Sequence, residues 1–270
     1  MPANVSASQR GSAPAGHLLE RLRDKVAWKV FGLRLRRETL RNQAFDAKHG
    51  TDTAAETPLI EAGLSAADAE RGNTVYRVFW ERNFQAIIDD IDIDHTSYTF
   101  VDIGSGKGKL LLLASLLPFK RVLGVELAPL LHEIALSNIV AFHSPSQRCA
   151  NITSLLGDAL SFELPDGPLF CLMVNPFDEI TLRRVMARIA DQRLASQHPV
   201  FVVYANMRRI EERASVFDDP GNLAVLMRQR NHIILGNPAA ARLAHSNHRR
   251  PAATLTGNGS AVTITGPEST

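Results

Sequence analysis

The hydrophobic positions of this chain follow a helical period in its first part and alternate between strand and helix patterns in its second part. From His17 to about Arg41, apolar residues recur along one stripe among basic residues, which predicts a helix. A second amphipathic helix is predicted at 75–91. From about Tyr98 onward, short apolar runs alternate with helical patterns. This alternation predicts an α/β fold, a doubly wound and mostly parallel sheet, with an N-terminal helical extension.

The strands of this sheet are predicted from five apolar runs. They lie at 99–103, 121–126, 151–156, 169–174 and 200–204. Two further strand-like stretches, at 223–227 and 232–235, are candidates to close the sheet. A helix is expected to begin at Pro129, since proline suits the first turn. Another is predicted from Glu179 to about Ala195, with Ile180 on its apolar face, and a short one at 210–216.

The composition divides the chain into four segments. Residues 1–16 are rich in Ser, Ala, Pro and Gly without periodicity, which predicts a disordered lead. Residues 17–94 form the predicted helical extension or cap, and 95–245 the α/β domain. Residues 246–270 are predicted to be a poorly ordered tail or a short hairpin, because a Gly-Asn-Gly turn stands between alternating apolar residues.

A glycine-rich turn between the first strand of this sheet and its helix is the main candidate for a ligand site. Gly104, Gly106 and Gly108 follow the strand that carries Asp102. Glycine lets a ligand approach the main chain closely, and the next helix points free N–H groups at it. The dinucleotide-binding pattern G-x-G-x-x-G does not fit, because Lys109 stands where its third glycine is needed. The sequence therefore predicts a cofactor cradle without that glycine.

Polar or turn-forming groups end four successive strands of the predicted sheet. They are Asp102, Glu126, Asp158 and Asn175-Pro176-Phe177. Each group alone has an ordinary structural explanation as a cap, a solvated strand end or a turn. Together they coincide with the edge where doubly wound sheets bind ligands, beyond the carboxyl ends of the strands. We therefore expect them to surround one site.

Composition narrows the function classes. The 270 residues carry a net charge of +2, which is too small to indicate nucleic-acid binding by itself. Two cysteines, Cys149 and Cys171, cannot form a disulfide framework or a metal cluster, and their scarcity suits a reducing compartment. No metal site is predicted. The sequence has no apolar stretch of membrane-spanning length and no secretory signal, so a cytoplasmic location is expected.

The basic helix predicted over 17–41 has two interpretations. It is either a packing helix with a solvated charged face, which we favour, or a surface that contacts nucleic acid or an anionic membrane. A third possibility concerns about the first nineteen residues, which contain Arg10, serines and alanines and no acid before Glu20, a composition similar to that of an organellar transit peptide. The sequence alone establishes neither a nucleic-acid partner nor an oligomeric state.

The stretch from Asp102 to Gly108 resembles motif I of the class I S-adenosylmethionine-dependent methyltransferases, written acid-x-G-x-G-x-G. The resemblance implies a Rossmann-like methyltransferase domain at 95–245 with S-adenosylmethionine (SAM) as cofactor. It also implies that motifs I, II and III bind this cofactor. The matching residues are Asp102, Gly104, Ser105, Gly106, Gly108, Glu126, Asp158 and Ala159.

Asn175-Pro176-Phe177 resembles motif IV, which faces the methyl acceptor in this family. The resemblance implies a catalytic position for these three residues. Amino-methylating relatives often have N-P-P-[YF] there, whereas this chain has one proline and then Asp178. Together with D-x-G-S-G-K-G, the motif is similar to the group near the lysine-methylating, Dot1-like branch. The similarity covers roughly residues 52–206.

The sequence thus predicts methyl transfer from SAM to an unidentified acceptor, with a protein amine or a small molecule favoured. Two alternatives stay open. One is an NAD-binding oxidoreductase, which the absent third glycine disfavours. The other is a binding module that keeps the fold without turnover. The attacked atom is not predicted.

Overall fold

The computed structural model describes residues 15–193, 196–206, 214–218 and 223–247. A short turn of 3₁₀ helix at His95–Ser97 precedes the main sheet. The helices and strands are, in chain order, α1 (Ala15–His49), β1 (Thr57–Pro58), α2 (Ala66–Ala69), β2 (Val75–Tyr76), α3 (Glu81–Asp89), β3 (Thr99–Ile103), α4 (Lys109–Ser115), β4 (Arg121–Glu126), α5 (Pro129–Ala141), β5 (Ile152–Leu156), β6 (Leu169–Val174), α6 (Glu179–Arg193), β7 (Val200–Ala205), α7 (Ala214–Asp218), β8 (Ala224–Arg228), β9 (His232–Gly236) and α8 (Pro238–Asn247).

Within the described residues, seven strands form one sheet in the order β5-β4-β3-β6-β7-β9-β8. β3 to β7 run parallel, and β9 pairs antiparallel with both β7 and β8. The strand order reverses at β3, because β4 lies on one side of it and β6 on the other. Doubly wound sheets bind ligands at such a reversal. The predicted fold class is confirmed.

Both faces of the sheet are covered, as a doubly wound fold requires. Phe100, Phe170 and Phe201 point to one face, where they pack with α3, α4 and α8. Their neighbours Val101 and Cys171 point to the other, where they pack with α6 and α7. Successive strand residues face opposite sides, so strands buried on both faces are apolar throughout. This explains why unbroken apolar runs marked the strands.

The strands agree closely with the prediction, and the elements before and after them less so. β3, β4 and β6 have the predicted bounds, and α5 begins at Pro129. The single helix predicted over 75–91 is wrong. Residues Val75–Tyr76 instead pair antiparallel with Thr57–Pro58, and only Glu81–Asp89 is helical. Pairing with a distant strand overrides local helical periodicity there.

Further differences concern three helices. α1 continues past Arg41 to His49, and α8 was not predicted. The placement of Ile180 on the apolar face of α6 is wrong, since its exposed fraction is 70%. Leu182 starts the buried stripe of α6, and a residue two positions away lies on the opposite side of a helix.

Some predictions fall outside the described residues. These are residues 1–14 of the disordered lead predicted at 1–16, residues 210–213 of the short helix predicted at 210–216, and residues 248–270 of the tail or hairpin predicted at 246–270. The last two residues of the predicted lead are helical instead, because α1 begins at Ala15. In the part of the chain that the structure describes, no helix has both the length and the apolar composition needed to cross a bilayer.

We predict that Leu182→Ala lowers the free energy of unfolding by about 2–5 kcal/mol, because it removes a fully buried side chain and leaves a cavity. The same substitution at Ile180, on the same helix but exposed, should change it by less than about 0.5 kcal/mol. Urea unfolding followed by circular dichroism measures both. Equal losses would show that α6 packs with a different face.

Candidate functional site

A cavity opens at the carboxyl ends of β3, β4, β5 and β6, beneath the segment 59–79 of the N-terminal extension. The strand reversal at β3 lies under this cavity. Most of the predicted site residues line it. These are Asp102, Gly104, Ser105, Gly106, Glu126, Asp158, Ala159, Pro176 and Phe177. The structure therefore brings together groups that the sequence placed at four separate strand ends.

The glycine loop lies between two walls that leave no room for side chains. Gly104 and Gly106 have positive φ angles of 81° and 54°. A Cβ atom on Gly106 would lie 2.3 Å from Cε2 of Tyr76, and one on Gly104 would lie 2.7 Å from Cβ of Pro176. Glycine is required at both positions by backbone conformation and by space.

Two predicted residues, Gly108 and Asn175, lie beside the cavity rather than on its wall. Gly108 has φ 80° and caps α4, and a Cβ there would lie 3.2 Å from Cβ of Ala135. Its role in the structure is close packing of α4 against α5.

Ser105 lines the cavity, and its buried hydroxyl has no hydrogen-bond partner within the described residues.

Glu126 holds the glycine loop in place. One carboxylate oxygen accepts the N–H of Gly106 at 2.7 Å, and the other accepts the N–H of Ala128 at 2.8 Å. Burial raises the pKa of Glu126, while these backbone N–H groups act in the opposite direction. Each carboxylate oxygen can accept a further hydrogen bond. Glu126 can therefore support the loop and still contact a ligand in the cavity.

Two buried charged side chains of opposite sign line the cavity without a hydrogen-bond partner among the described residues. The Asp102 side chain is one of them, and burial together with the nearby charge of Glu126 raises its pKa to about 8. The other is Lys109, whose Nζ lies over the ring of Phe45 and whose pKa burial lowers to about 8. An unpaired buried charge is costly, so burial favours the protonated carboxyl of Asp102 in the free protein, and a cationic ligand group in the cavity would favour its ionised form.

The N-terminal extension is bound to the back of the glycine loop. The carboxylate of Asp52 pairs with Lys107, whose Nζ lies 3.0 Å away and whose side chain is buried. The Tyr76 hydroxyl donates to the carbonyl of Thr53 at 2.9 Å. Asp46, in the last turn of α1, accepts hydrogen bonds from Thr51, Thr53 and Ala54. The loop is therefore held between the sheet and the extension.

A strap of three residues, Arg71-Gly72-Asn73, crosses the cavity from the end of β5 to the end of β6. At one end, the guanidinium of Arg71 donates to both carboxylate oxygens of Asp158, at 2.9 and 3.1 Å. Its backbone carbonyl accepts the N–H of Asp178 at 2.8 Å. Asp158 thus already has a strong partner at the predicted cofactor position.

At the other end, the strap covers the main chain after β6. Gly72 forms a β-bridge with Phe177, and a Cβ on Gly72 would lie 2.2 Å from the carbonyl oxygen of Pro176. The Asn73 side-chain amide donates to the carbonyl of Asn175. The strap therefore contacts all three residues of the predicted acceptor-facing segment.

Asn175 is held in an unusual conformation. Among the described residues other than glycine, it is the one with a positive φ angle, which is 44°. Its side-chain oxygen accepts a hydrogen bond from the hydroxyl of buried Tyr204. A positive φ is unfavourable for most residues and persists where neighbouring contacts hold it, as at many functional sites.

Three residues of the site were not predicted from the sequence: Lys109, Arg71 and Tyr76 on the cavity wall. Lys109 entered the sequence analysis only as the position of an absent glycine. Its signal was a lysine in the first turn of an otherwise apolar helix. For Arg71, no local signal pointed to the site. Within the described residues, no group of three His, Cys, Asp or Glu side chains converges as a metal site would need.

No protein-family model and no curated protein matches this sequence. Parts of the chain are similar to solved structures. The mitomycin 7-O-methyltransferase MmcR is 17% identical over 57% of this chain and 53% of its own, with a TM-score of 0.43. A putative SAM-dependent methyltransferase from Methanococcus maripaludis is 18% identical over 58% and 84%, with a TM-score of 0.41.

A third similar structure is an RNA methyltransferase from Salinibacter ruber in complex with S-adenosyl-L-homocysteine. It is 15% identical over 59% of this chain and 92% of its own, with a TM-score of 0.42. This chain spans about half the length of the mitomycin 7-O-methyltransferase that it matches.

We predict that Gly72→Ala releases the strap, because the new methyl group would overlap the carbonyl of Pro176. The strain of such overlap costs about 1–3 kcal/mol, so trypsin should cut after Arg71 about 5 to 150 times faster than in the unsubstituted protein. Timed proteolysis with mass spectrometry measures the rate. Gly32→Ala, which meets nothing within 4 Å, is the matched control. An unchanged rate would show that the strap does not depend on this contact.

Proposed function

We propose that the protein is a SAM-dependent methyltransferase that binds its cofactor in this cavity. The observation that carries the proposal is the buried carboxyl group of Asp102, which lies on the cavity wall beside the glycine loop without a hydrogen-bond partner among the described residues. The amino-acid end of SAM has one ammonium and one carboxylate group. Asp102, once ionised, matches the ammonium, and N–H groups of the glycine loop can donate to the carboxylate.

The acidic groups below the glycine loop also favour SAM over NAD as the ligand of this cavity. A dinucleotide would place a pyrophosphate over the glycine loop. Here that loop lies above two buried carboxyl groups, Asp102 and Glu126, and a pyrophosphate would oppose the ionised form of both. The strand-loop-helix pattern is shared by both cofactor classes, so the acidic floor is the feature that favours SAM.

The adenosine end of SAM is assigned to the far side of the cavity. There, Glu126 retains capacity to accept hydrogen bonds from ribose hydroxyls. Adenine, which donates from N6 and accepts at N1, suits the carboxylate of Asp158 and the N–H of Ala159. Arg71 pairs with Asp158 from the strap, so it would lie against the bound nucleoside.

We propose that the acceptor reaches the methyl group at Asn175-Pro176-Phe177, and that it is an amine of a protein or small molecule. The main-chain oxygen of Pro176, which Gly72 covers in this structure, can orient an N–H nucleophile once the strap moves away from it. The sulfonium is already activated, so the site needs chiefly to hold the two reactants in line.

A second candidate function, cofactor binding without turnover, is favoured by one observation. Gly72 and Asn73 cover the main chain that would face the acceptor. If the strap stays closed when the cofactor is bound, an acceptor has no access to the methyl group.

We predict that Asp102→Asn weakens binding of S-adenosylhomocysteine at least tenfold, or about 1.4 kcal/mol. The substitution removes the counter-charge for the ammonium end of the zwitterion. Isothermal calorimetry measures the affinity, with NAD titrated in parallel. Asp166→Asn, which changes an exposed side chain outside the cavity, is the matched control.

Two outcomes would decide against the proposal: NAD binds in place of S-adenosylhomocysteine, or neither ligand binds. If S-adenosylhomocysteine binds as expected, SAM with a labelled methyl group is incubated with lysine-containing peptides and small amines. Label transfer supports the enzyme, whereas binding without transfer to any acceptor supports the binding module.

We also predict that affinity rises from about pH 6 to about pH 8. The free Asp102 carboxyl has a pKa of about 8 and is protonated below it, whereas the complex with an ammonium group needs it ionised. Binding near pH 6 should therefore release about one proton, while Lys109 is already charged there. Calorimetry in two buffers with different ionisation enthalpies counts that proton. The Asp102→Asn variant should release none, and a pH-independent affinity would contradict the assignment.

A further inference from the structure

Arg71 of the strap joins two carboxylates on the wall of the cavity. Its Nη1 lies 2.9 Å from Oδ1 of Asp68, and its Nη2 lies 3.1 Å from Oδ1 and 2.9 Å from Oδ2 of Asp158. The hydrogen bond with Asp158 raises the pKa of Arg71, so the guanidinium stays charged. Because two carboxylates already balance this charge, Arg71 is not a free site for an anionic ligand. Its effect on a ligand must act through one of these acids.

The carboxylate of Asp158 has room for one more hydrogen-bond donor. Oδ1 accepts from the N–H of Leu160 at 2.8 Å as well as from Arg71, whereas Oδ2 accepts from Arg71 alone within the described part of the chain. A carboxylate oxygen accepts about two hydrogen bonds, so the open place is on Oδ2. An ionised carboxylate accepts and cannot donate. The open place therefore fits an N–H or O–H group of a ligand and opposes a carbonyl oxygen.

The next residue along the chain offers the opposite kind of group. Ala159 lines the cavity, and its N–H has no acceptor among the residues that the structure describes. Asp158 thus presents an acceptor and Ala159 a donor. Adenine has the complementary order on its edge, because N6 donates and N1 accepts. Hypoxanthine has the reverse order, since an oxygen replaces N6 and N1 carries a hydrogen, so it opposes both groups.

We infer that Arg71 is a positioning residue that makes the cavity selective for a 6-aminopurine over a 6-oxopurine. It acts through Asp158, whose Oδ2 it holds in place and whose carboxylate it keeps as an acceptor. Without Arg71, the N–H of Leu160 is the one described group that donates to this carboxylate. The carboxylate could then rotate, or take a proton and donate it to a carbonyl oxygen. The inference rests on the proposed function, because it assigns the adenine of SAM to this end of the cavity.

The ion pair between Arg71 and Asp158 also anchors the strap, and the two roles have different consequences. The side chains have exposed fractions of 30% and 32%, so the pair alone contributes little to stability. If the pair only anchored the strap, its loss would weaken the binding of both purines by the same factor. If Arg71 positions Asp158, its loss weakens adenine binding more than hypoxanthine binding. The ratio of the two affinities therefore separates the two roles.

The test compares S-adenosylhomocysteine with S-inosylhomocysteine, in which hypoxanthine replaces adenine, by isothermal calorimetry on the full chain. We expect the unsubstituted protein to prefer S-adenosylhomocysteine by about a hundredfold, because two hydrogen bonds are lost and each is worth about tenfold. Arg71→Gln should lower this preference to less than about tenfold, since one of the two contacts loses its selectivity. Arg71→Lys keeps a cation beside Asp158 and should restore most of the preference. Circular dichroism confirms that each variant is folded.

The matched control is Arg183→Gln, which breaks an exposed ion pair with Glu179 on α6, outside the cavity. Its preference should equal that of the unsubstituted protein. The inference is overturned, while the proposed function stands, if S-adenosylhomocysteine binds without being preferred, or if R71Q keeps the full preference. It is also overturned if R71K loses as much of the preference as R71Q does. If neither ligand binds, the proposed function fails and the inference fails with it.

Discussion

The site depends on three places where one stretch of main chain passes so close to its neighbour that no side chain fits between them. Gly106 lies against Tyr76, and Gly104 lies against the ring of Pro176. The third contact is Gly72 on the carbonyl of Pro176. These contacts set the distances between loop, extension and β6, so the cavity that remains has the shape of a covered groove. The charged side chains on its wall then decide what it can hold.

Much of the fold could be predicted because its signal is local. β3, β4 and β6 are buried on both faces, so their sequences are mostly apolar runs: β6 is apolar throughout, while β3 and β4 also carry polar residues, among them Asp102 and Glu126 of the site. The extension offers no such signal. β1 and β2 each have two residues and exist only because they pair with one another. Ile180 shows a related limit, since local periodicity does not say which side of a helix the sheet covers.

The site residues, too, could be predicted only in part from the sequence. The strand-end residues could be placed together because carboxyl ends of parallel strands meet at one edge of a sheet. The contacts that each of these residues makes could not be predicted. Glu126 bonds to the loop amides, and Asp158 pairs with a residue 87 positions earlier in the chain. Lys109 contacts Phe45 of α1, and no residue near Lys109 in the sequence indicates this contact.

The bonds between the extension and the domain have a consequence for how the chain folds and opens. Asp52 contacts Lys107 and Asn138, which are 55 and 86 residues further along. Such contacts close large loops, and their entropy cost delays them until the sheet gives them a surface to join. We therefore expect the extension to dock last in folding and to detach first in local unfolding. The chain would then pass through a state with an intact sheet and an uncovered groove, and a ligand that bridges the two parts would slow hydrogen exchange in the extension most.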